Sequence, residues 1–269
     1  MSGLLIMANW QATCYNRPWY AGIDIAPRGK ACREALNFHH VFWPGQRLIN
    51  HVQLPLNMEY LKHELRWYVN ADYADESIAE HAAMWNDVRN PDGKWLSNYG
   101  YWLWGEPQRL AWVIEELKRD PDSRRAVVHI NTPDHLSVQL KDIPCTMYLA
   151  FHIRTNVLYT AVHMRSQDAV WGLRNDLPFF WMVADIVSKA VGVPVGNLYL
   201  FVNSFHIYER HYEKVRNLIL DPDGWIPTKL DWSSLVTKVL NEKLKIESKA
   251  GRNDGDSPGI SGPIDVHTA

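Results

Sequence analysis

The sequence predicts an α+β domain: a mixed β-sheet flanked by helices. Three observations point there. Segments with the 3.6-residue period of a half-buried helix are interspersed with segments of period two, without a regular strand–helix–strand rhythm. A hairpin is legible from Thr146, where Met147, Leu149, Phe151 and Ile153 share one face and Tyr148, His152 and Arg154 the other. Thr155-Asn156 supplies its two-residue turn, and Val157 to Ser166 returns beside the first strand. Finally, no linker, charge block or repeat interrupts the 269 residues before about residue 250. Residues 1–250 therefore read as one domain and 251–269 as a polar, Gly-rich mobile tail.

Taken in order, residues 1–57 read as irregular or strand-like, with a turn at Pro27-Arg28-Gly29-Lys30 and a strand through Leu36-Asn37-Phe38. Asn57 to Asn70 predicts a helix burying Leu61, Leu65 and Tyr68, with Glu64 beside the apolar stripe. A second helix is expected over Ser77–Trp85, a turn at Asn90-Pro91-Asp92-Gly93, and a third helix from Pro107 to Lys118 burying Leu110, Val113, Ile114 and Leu117. A strand follows from Ala126 to Ile130, entered by Arg124 and Arg125. Beyond the hairpin, Asp176 is the expected N-cap of a helix carrying Pro178 in its first turn and ending at Gly192. Asn197–Val202 reads as a buried strand and His206–Leu220 as a helix.

Composition excludes several classes. A formal net charge of −2 does not mark a nucleic-acid or membrane-surface binder. No apolar run approaches the roughly 20 residues of a membrane helix, and the N-terminus lacks the basic start of a signal peptide, so a soluble cytoplasmic protein is expected. Cys14, Cys32 and Cys145 form neither a disulfide framework nor a zinc pattern. Adjacent His39 and His40 point apart, and His206 and His211, five apart, would stand about 140° apart around a helix, so no metal site is expected.

Chemistry concentrates between Pro144 and Asp176. The hairpin brings Arg165 and Ser166 back to Cys145, and a guanidinium beside a thiol favours the thiolate. Taken alone, Cys145 reads first as an ordinary buried cysteine.

The motifs together say more. Pro144-Cys145, Arg165-Ser166-x-Asp168, Gly172, His206-x-Tyr208, Asp122-Ser123-Arg124-Arg125, His63-Glu64-Leu65 and the pair Trp85 and Tyr99-Gly100 fall in one order and spacing. The chain thereby resembles the thymidylate synthase superfamily, and within it the phage deoxycytidylate 5-hydroxymethylases. That resemblance implies a single domain that pairs sheet to sheet as a homodimer. It implies Cys145 as the nucleophile that adds to C6 of a pyrimidine nucleotide, with 5,10-methylenetetrahydrofolate as one-carbon donor and no metal. Glu64 and Tyr99 would manage water and protons around the base. Arg165 and Ser166 would bind the 5′-phosphate with Arg28, or with Arg33 in its place, and Arg124 and Arg125 would arrive from the partner subunit. His206 and Tyr208 would meet the sugar 3′-hydroxyl; Trp85, Asp168 and Gly172 would line the folate side.

Asp176 stands where the synthases carry asparagine. A carboxyl group suits cytosine, accepting from the 4-amino group and, when protonated, donating to N3. dCMP is therefore the expected substrate, with CMP as an alternative. Pro258 to Ile264 resembles the segment that the synthases close over folate, but Val266 to Ala269 extends past it. The altered tail favours a hydroxymethyl product over a methyl one.

Overall fold

The computed structural model describes residues 10–244, apart from Glu106, Leu136, Val138 and Pro222. The tail from 251 onward lies outside these residues. Six strands form a mixed sheet in the order β1-β2-β6-β5-β4-β3: β1 Ile23–Ile25, β2 Cys32–Phe42, β3 Val127–His129, β4 Thr146–Arg154, β5 Val157–Asp168 and β6 Val195–Tyr208. All neighbours are antiparallel except β5 and β6. That parallel pair is joined by α7, Gly172–Val191, whose buried face includes Leu177, Phe180, Val183, Ala184 and Val187. The expected α+β class and mixed sheet are present, and the buried apolar residues form one core.

The hairpin forms because Thr155 and Asn156 both take left-handed backbone, φ 49° and 61°, as a turn matched to strand twist needs. Its simple alternation fails at one point. The register slips between Thr146 and Tyr148, so Met147 is bulged and Thr146, not Met147, is the buried residue there. A related break crosses β2 and β6. Asn37 adopts φ 52° between the pairs Leu36↔Ser204 and Phe38↔Val202. Before it Leu198, Leu200 and Val202 face the core; after it Phe205 and Ile207 do. Ser204, His206 and Tyr208 are thereby turned to the opposite face, the one that carries Ser166 and Asp168 through the pairs Ser166↔Ser204 and Asp168↔His206.

Several expectations are corrected. Residues before 57 include a helix, α1 Trp10–Ala21, that packs on β2 and β6. The expected helix over 77–85 is two short ones, α3 Ser77–His81 and α4 Met84–Val88. A further short helix, α5 Tyr99–Trp104, precedes α6 Arg109–Arg119. Asp176 is not an N-cap: α7 begins at Gly172, and Asp168 Oδ1 serves the turn before it, accepting from Val170 N at 2.8 Å. His206–Tyr208 is strand, because pairing with β2 and β5 holds it extended; a 3-10 turn at Glu209–His211 leads into the α-helix α8, Tyr212–Leu220. The helix α2, Met58–Asn70, follows expectation, with Asn57 Oδ1 capping Tyr60 N at 3.0 Å.

On the uncovered face of the sheet, rings from five strands form a row. His39 and Phe201 lie 6.5 Å apart, Phe201 and His163 4.6 Å, His163 and Tyr148 4.3 Å, and Tyr148 and His129 5.7 Å between centroids.

Candidate active site

Cys145 stands just before β4 begins, beside Arg165 of β5. Its position is fixed from both sides. Arg165 N donates to Cys145 O at 2.8 Å, Arg165 Nε to Pro144 O at 3.2 Å, and its Nη2 to Ile143 O at 2.6 Å. The loop before Cys145 is anchored at Asp142, whose carboxylate accepts from Ser97 N at 2.7 Å and Ser97 Oγ at 2.5 Å. Asn90 Oδ1 accepts from Asp142 N at 2.9 Å. Such a loop is positioned by hydrogen bonds at each end, as a nucleophile requires.

The electrostatics differ from the simple expectation of an activated thiolate. Burial pushes the Cys145 thiol up to about 11, more than the fields of Arg165 and Arg28 lower it. Cys14 and Cys32 are buried residues, and Cys145 is partly buried. Arg28, in the left-handed turn 27–29, acts on both Cys145 and Tyr208. Arg33 is committed elsewhere: Nε donates to Asp24 at 2.9 Å and Nη1 to Trp19 O at 3.1 Å, with the guanidinium over the Trp19 and Tyr212 rings. Of the two arginines weighed for the phosphate, Arg28 faces the site.

Two carboxyl groups, Glu64 and Asp176, lie close enough to act on one another, and Asp176 also acts on Cys145. Glu64, on α2, is buried and its pKa is raised to about 8, by burial first and then by Asp176. Asp176, one turn into α7, is raised to about 7 by burial and, less, by Asp168. Glu64 Oε1 accepts from Tyr60 OH at 2.8 Å, and Tyr60 accepts from Trp85 Nε1 at 2.9 Å. Glu64 Oε2 has no partner among the described residues. Tyr99, stacked on Tyr68 with centroids 5.5 Å apart, is held protonated by burial, Asp176 and Cys145. A carboxyl with a pKa near the working pH can give or take a proton there.

His206 and Tyr208 share a face of β6, their rings edge to face at 4.9 Å. Arg210 lies over Tyr208 and Trp171 and near Asp168 Oδ2 at 3.9 Å. Arg124 and Arg125 are not brought to this site. They precede Ala126, whose carbonyl accepts from Phe151 N. Phe151 is six residues along β4 from Cys145, roughly 20 Å at the strand rise. Arg125 instead pairs with Glu116 and is 67% exposed.

A cavity of about 460 Å³ opens beside Asn175, lined among others by Tyr60, His81, Met84, Trp171, Arg174 and Lys214; Cys145 and Asp176 do not line it. Of the residues expected on the folate side, Trp85, Asp168 and Gly172 do not line it; their neighbours Met84, Val170 and Trp171 do. Trp85 acts from behind, through Tyr60. Tyr60 was not singled out in the sequence, although its spacing of four from Glu64 on one helix was the signal available. Arg174 is also new: buried, with Nε donating to Ile49 O at 3.3 Å and Nη2 unpartnered among the described residues.

This fold, with its loop-held cysteine, its two interacting carboxyl groups and a β6 strand that presents His206 and Tyr208 on one face, agrees with what the chain is similar to. The thymidylate synthase family model matches residues 53–241. The chain belongs to the thymidylate synthase family. It is 31% identical over 208 residues to the deoxycytidylate 5-hydroxymethyltransferase of Enterobacteria phage T6, covering 72% of this chain and 79% of that protein. The phage T4 protein of the same name is 30% identical over 171 residues, 58% of this chain and 70% of the relative. A thymidylate synthase from Fusobacterium nucleatum is 28% identical over 153 residues, 55% of each. Among the described residues, no helix is long and apolar enough to cross a membrane.

Proposed function

We propose that the chain is a deoxycytidylate 5-hydroxymethyltransferase, forming 5-hydroxymethyl-dCMP through a covalent bond between Cys145 and C6 of the base. The observation that carries this reading is Asp176. Where the synthases have an amide, this chain has a carboxyl group whose pKa is raised to about 7 by burial, so that its protonated form is available near neutral pH. A neutral carboxyl offers cytosine one donor and one acceptor; an ionised one opposite the uracil O4 would be an unpaired repulsive contact, and polar mismatches of that kind discriminate strongly.

Each other residue then has a task. Cys145 Sγ bonds to C6 as its proton leaves, and C5 becomes the nucleophile. Arg28, Arg165 and Ser166 bind the 5′-phosphate, the guanidinium fork matching its oxygens. His206 and Tyr208 hydrogen-bond the 3′-hydroxyl. Glu64, with Oε2 free, orders water and moves protons at the base, assisted by Tyr60 and Tyr99. 5,10-methylenetetrahydrofolate supplies a carbon at the oxidation level of formaldehyde. The cavity fits such a molecule: Trp171 and Met84 offer flat apolar walls, and Arg174, Lys214 and His81 suit an anionic tail. No metal enters the proposed reaction.

Arg124 and Arg125 support a homodimer packed through the ring-bearing sheet face, because they are too far from their own Cys145 to touch its phosphate. Mixing inactive Cys145→Ala with inactive Arg125→Ala should then restore part of the activity through hybrid dimers; no recovery would sink the shared site. Direct nucleic-acid or membrane binding is not part of the proposal.

The decisive experiment is product mass after incubation with methylenetetrahydrofolate and dCMP, dUMP or CMP in parallel. A hydroxymethyl group on dCMP is expected, with tetrahydrofolate released. A methyl group with dihydrofolate would instead make it a cytidylate methyltransferase, preference for CMP would move it to ribonucleotides, and product from dUMP alone would overturn the assignment of Asp176.

A further inference from the structure

Asp176 cannot select cytosine unaided. A protonated carboxyl is symmetric: with the proton on one oxygen it pairs with cytosine, donating to N3 and accepting from the 4-amino group. With the proton on the other oxygen it pairs equally well with uracil, accepting from N3–H and donating to O4. Something must decide which oxygen carries the proton.

We propose that Gln167 is that residue, a positioning residue that makes Asp176 specific for cytosine by holding the proton on Oδ1. Gln167 is buried, and its Nε2 donates to Asp176 Oδ2 at 2.8 Å. An amide NH2 has no lone pair to offer, so Oδ2 must accept. The oxygen of a carboxyl that bears the proton is the poorer acceptor, so the proton belongs on Oδ1. Oδ1 then donates to N3, and the remaining lone pair of Oδ2 accepts from the 4-amino group.

The amide could evade this by turning over, but the fold opposes it. Gln167 Oε1 lies against Gly172, so close that a β-carbon there would stand 2.3 Å away. Gly172 is the first residue of α7, where unpaired backbone N–H groups and the positive end of the helix dipole favour an acceptor over an NH2 group. Gly172, expected on the folate side, thus has a second reason to be glycine: it makes room for Gln167.

The proposal rests on the cytidylate reading of Asp176. The test compares kcat/KM for dCMP and dUMP in the full chain, in Gln167→Met, which keeps length and loses the donor, and in Gln167→Glu, which keeps shape but lets either carboxyl carry the shared proton. Both variants should lose at least about tenfold of the dCMP-over-dUMP ratio, mainly by gaining dUMP turnover. Gly172→Ala should shift the ratio the same way by displacing Oε1. In Gln167→Met the alkaline limb of the dCMP profile should also move to higher pH, because the hydrogen bond that favoured the ionised form of Asp176 is gone. A ratio kept in both Gln167 variants, including one in which both rates fall together, would overturn the role of Gln167. A parent protein that already prefers dUMP would instead overturn the reading of Asp176 itself.

Discussion

Glu64 and Glu116 invite comparison. Both sit on amphipathic helices, α2 and α6, and both are about equally buried, at 4% and 5% exposure. Their surroundings are opposite. Glu116 accepts from Ser123 Oγ at 2.6 Å and Arg125 Nε at 3.0 Å and is paired with Arg119, and these donors hold its carboxyl well below the usual carboxylate range. Glu64 receives one neutral tyrosine hydroxyl, faces a second carboxyl and is pushed up to about 8. Residue exposure is alike, but desolvation leads the shift of Glu64, whereas at Glu116 the surrounding donors outweigh it. The proposed active site is where the fold withholds counter-charge from its acids, and that difference is what makes it the candidate.

The sharpest way to break this comparison is to remove the ionisable group from the unpaired side. Glu64→Gln should lower kcat by about 10²–10⁴-fold, the range of a positioned acid–base group. The Tyr60 and Trp85 chain persists with an amide in place of the carboxyl, so folding should survive. Steady-state rates with dCMP, set beside a thermal melt, would separate the two effects. A variant within a few-fold of the parent in kcat would mean that Glu64 is only a buried acid.

A second prediction uses stability. For Glu64 and Asp176 the folded pKa lies above the ordinary value, so the folded state holds protons that the unfolded chain releases. Their contribution is fully present below about pH 4 and is lost as pH rises towards 8. At pH 8 this costs on the order of a few kcal/mol, less than the separate shifts suggest because the two acids interact. Urea midpoints should therefore fall between pH 5 and pH 8 in the parent. In Glu64→Gln and Asp176→Asn the fall should be shallower, and the variants more stable than the parent at pH 8. An equal slope in all three would mean that these acids ionise freely. Asp176→Asn carries a further expectation, a turn towards dUMP.

How much of this could be read beforehand follows from what local pattern encodes. The α2 helix and the place of Glu64 beside the apolar stripe were legible, because helical period is local. So was the hairpin that sets Arg165 against Cys145. The helix at Trp10–Ala21 was not, since it mixes aromatic and polar residues without a clear stripe and holds Pro18. His206–Tyr208 looked helical from its neighbours, and only long-range pairing with β2 and β5 makes it strand. Asp176 looked like a cap because aspartate often is one; the actual acceptor is Asp168, eight residues earlier. Tyr60 was legible in principle from its spacing on α2, whereas Arg174 and Gln167 escaped because each matters through a contact with another element. For Gln167 that contact is nine residues away, across a turn and into a helix.

The smallest effect is expected on the paired side. Glu116→Gln removes the charge but leaves an acceptor for Ser123 and Arg125. The arginines it meets are mostly solvated, at 60% and 67% exposure, and exposed pairs contribute little. The thermal midpoint should drop only slightly at pH 7, and the loss should vanish as pH falls through the depressed pKa towards 2, where the parent's Glu116 is protonated too. What Glu116 does hold is the direction of Arg125. If Arg125 reaches a second subunit's phosphate, Glu116→Gln should raise KM for dCMP more than it lowers kcat, and more at low dCMP than any change in folding explains. An unchanged KM would leave Glu116 as the anchor of the α6–β3 turn and place Arg125 outside the nucleotide site.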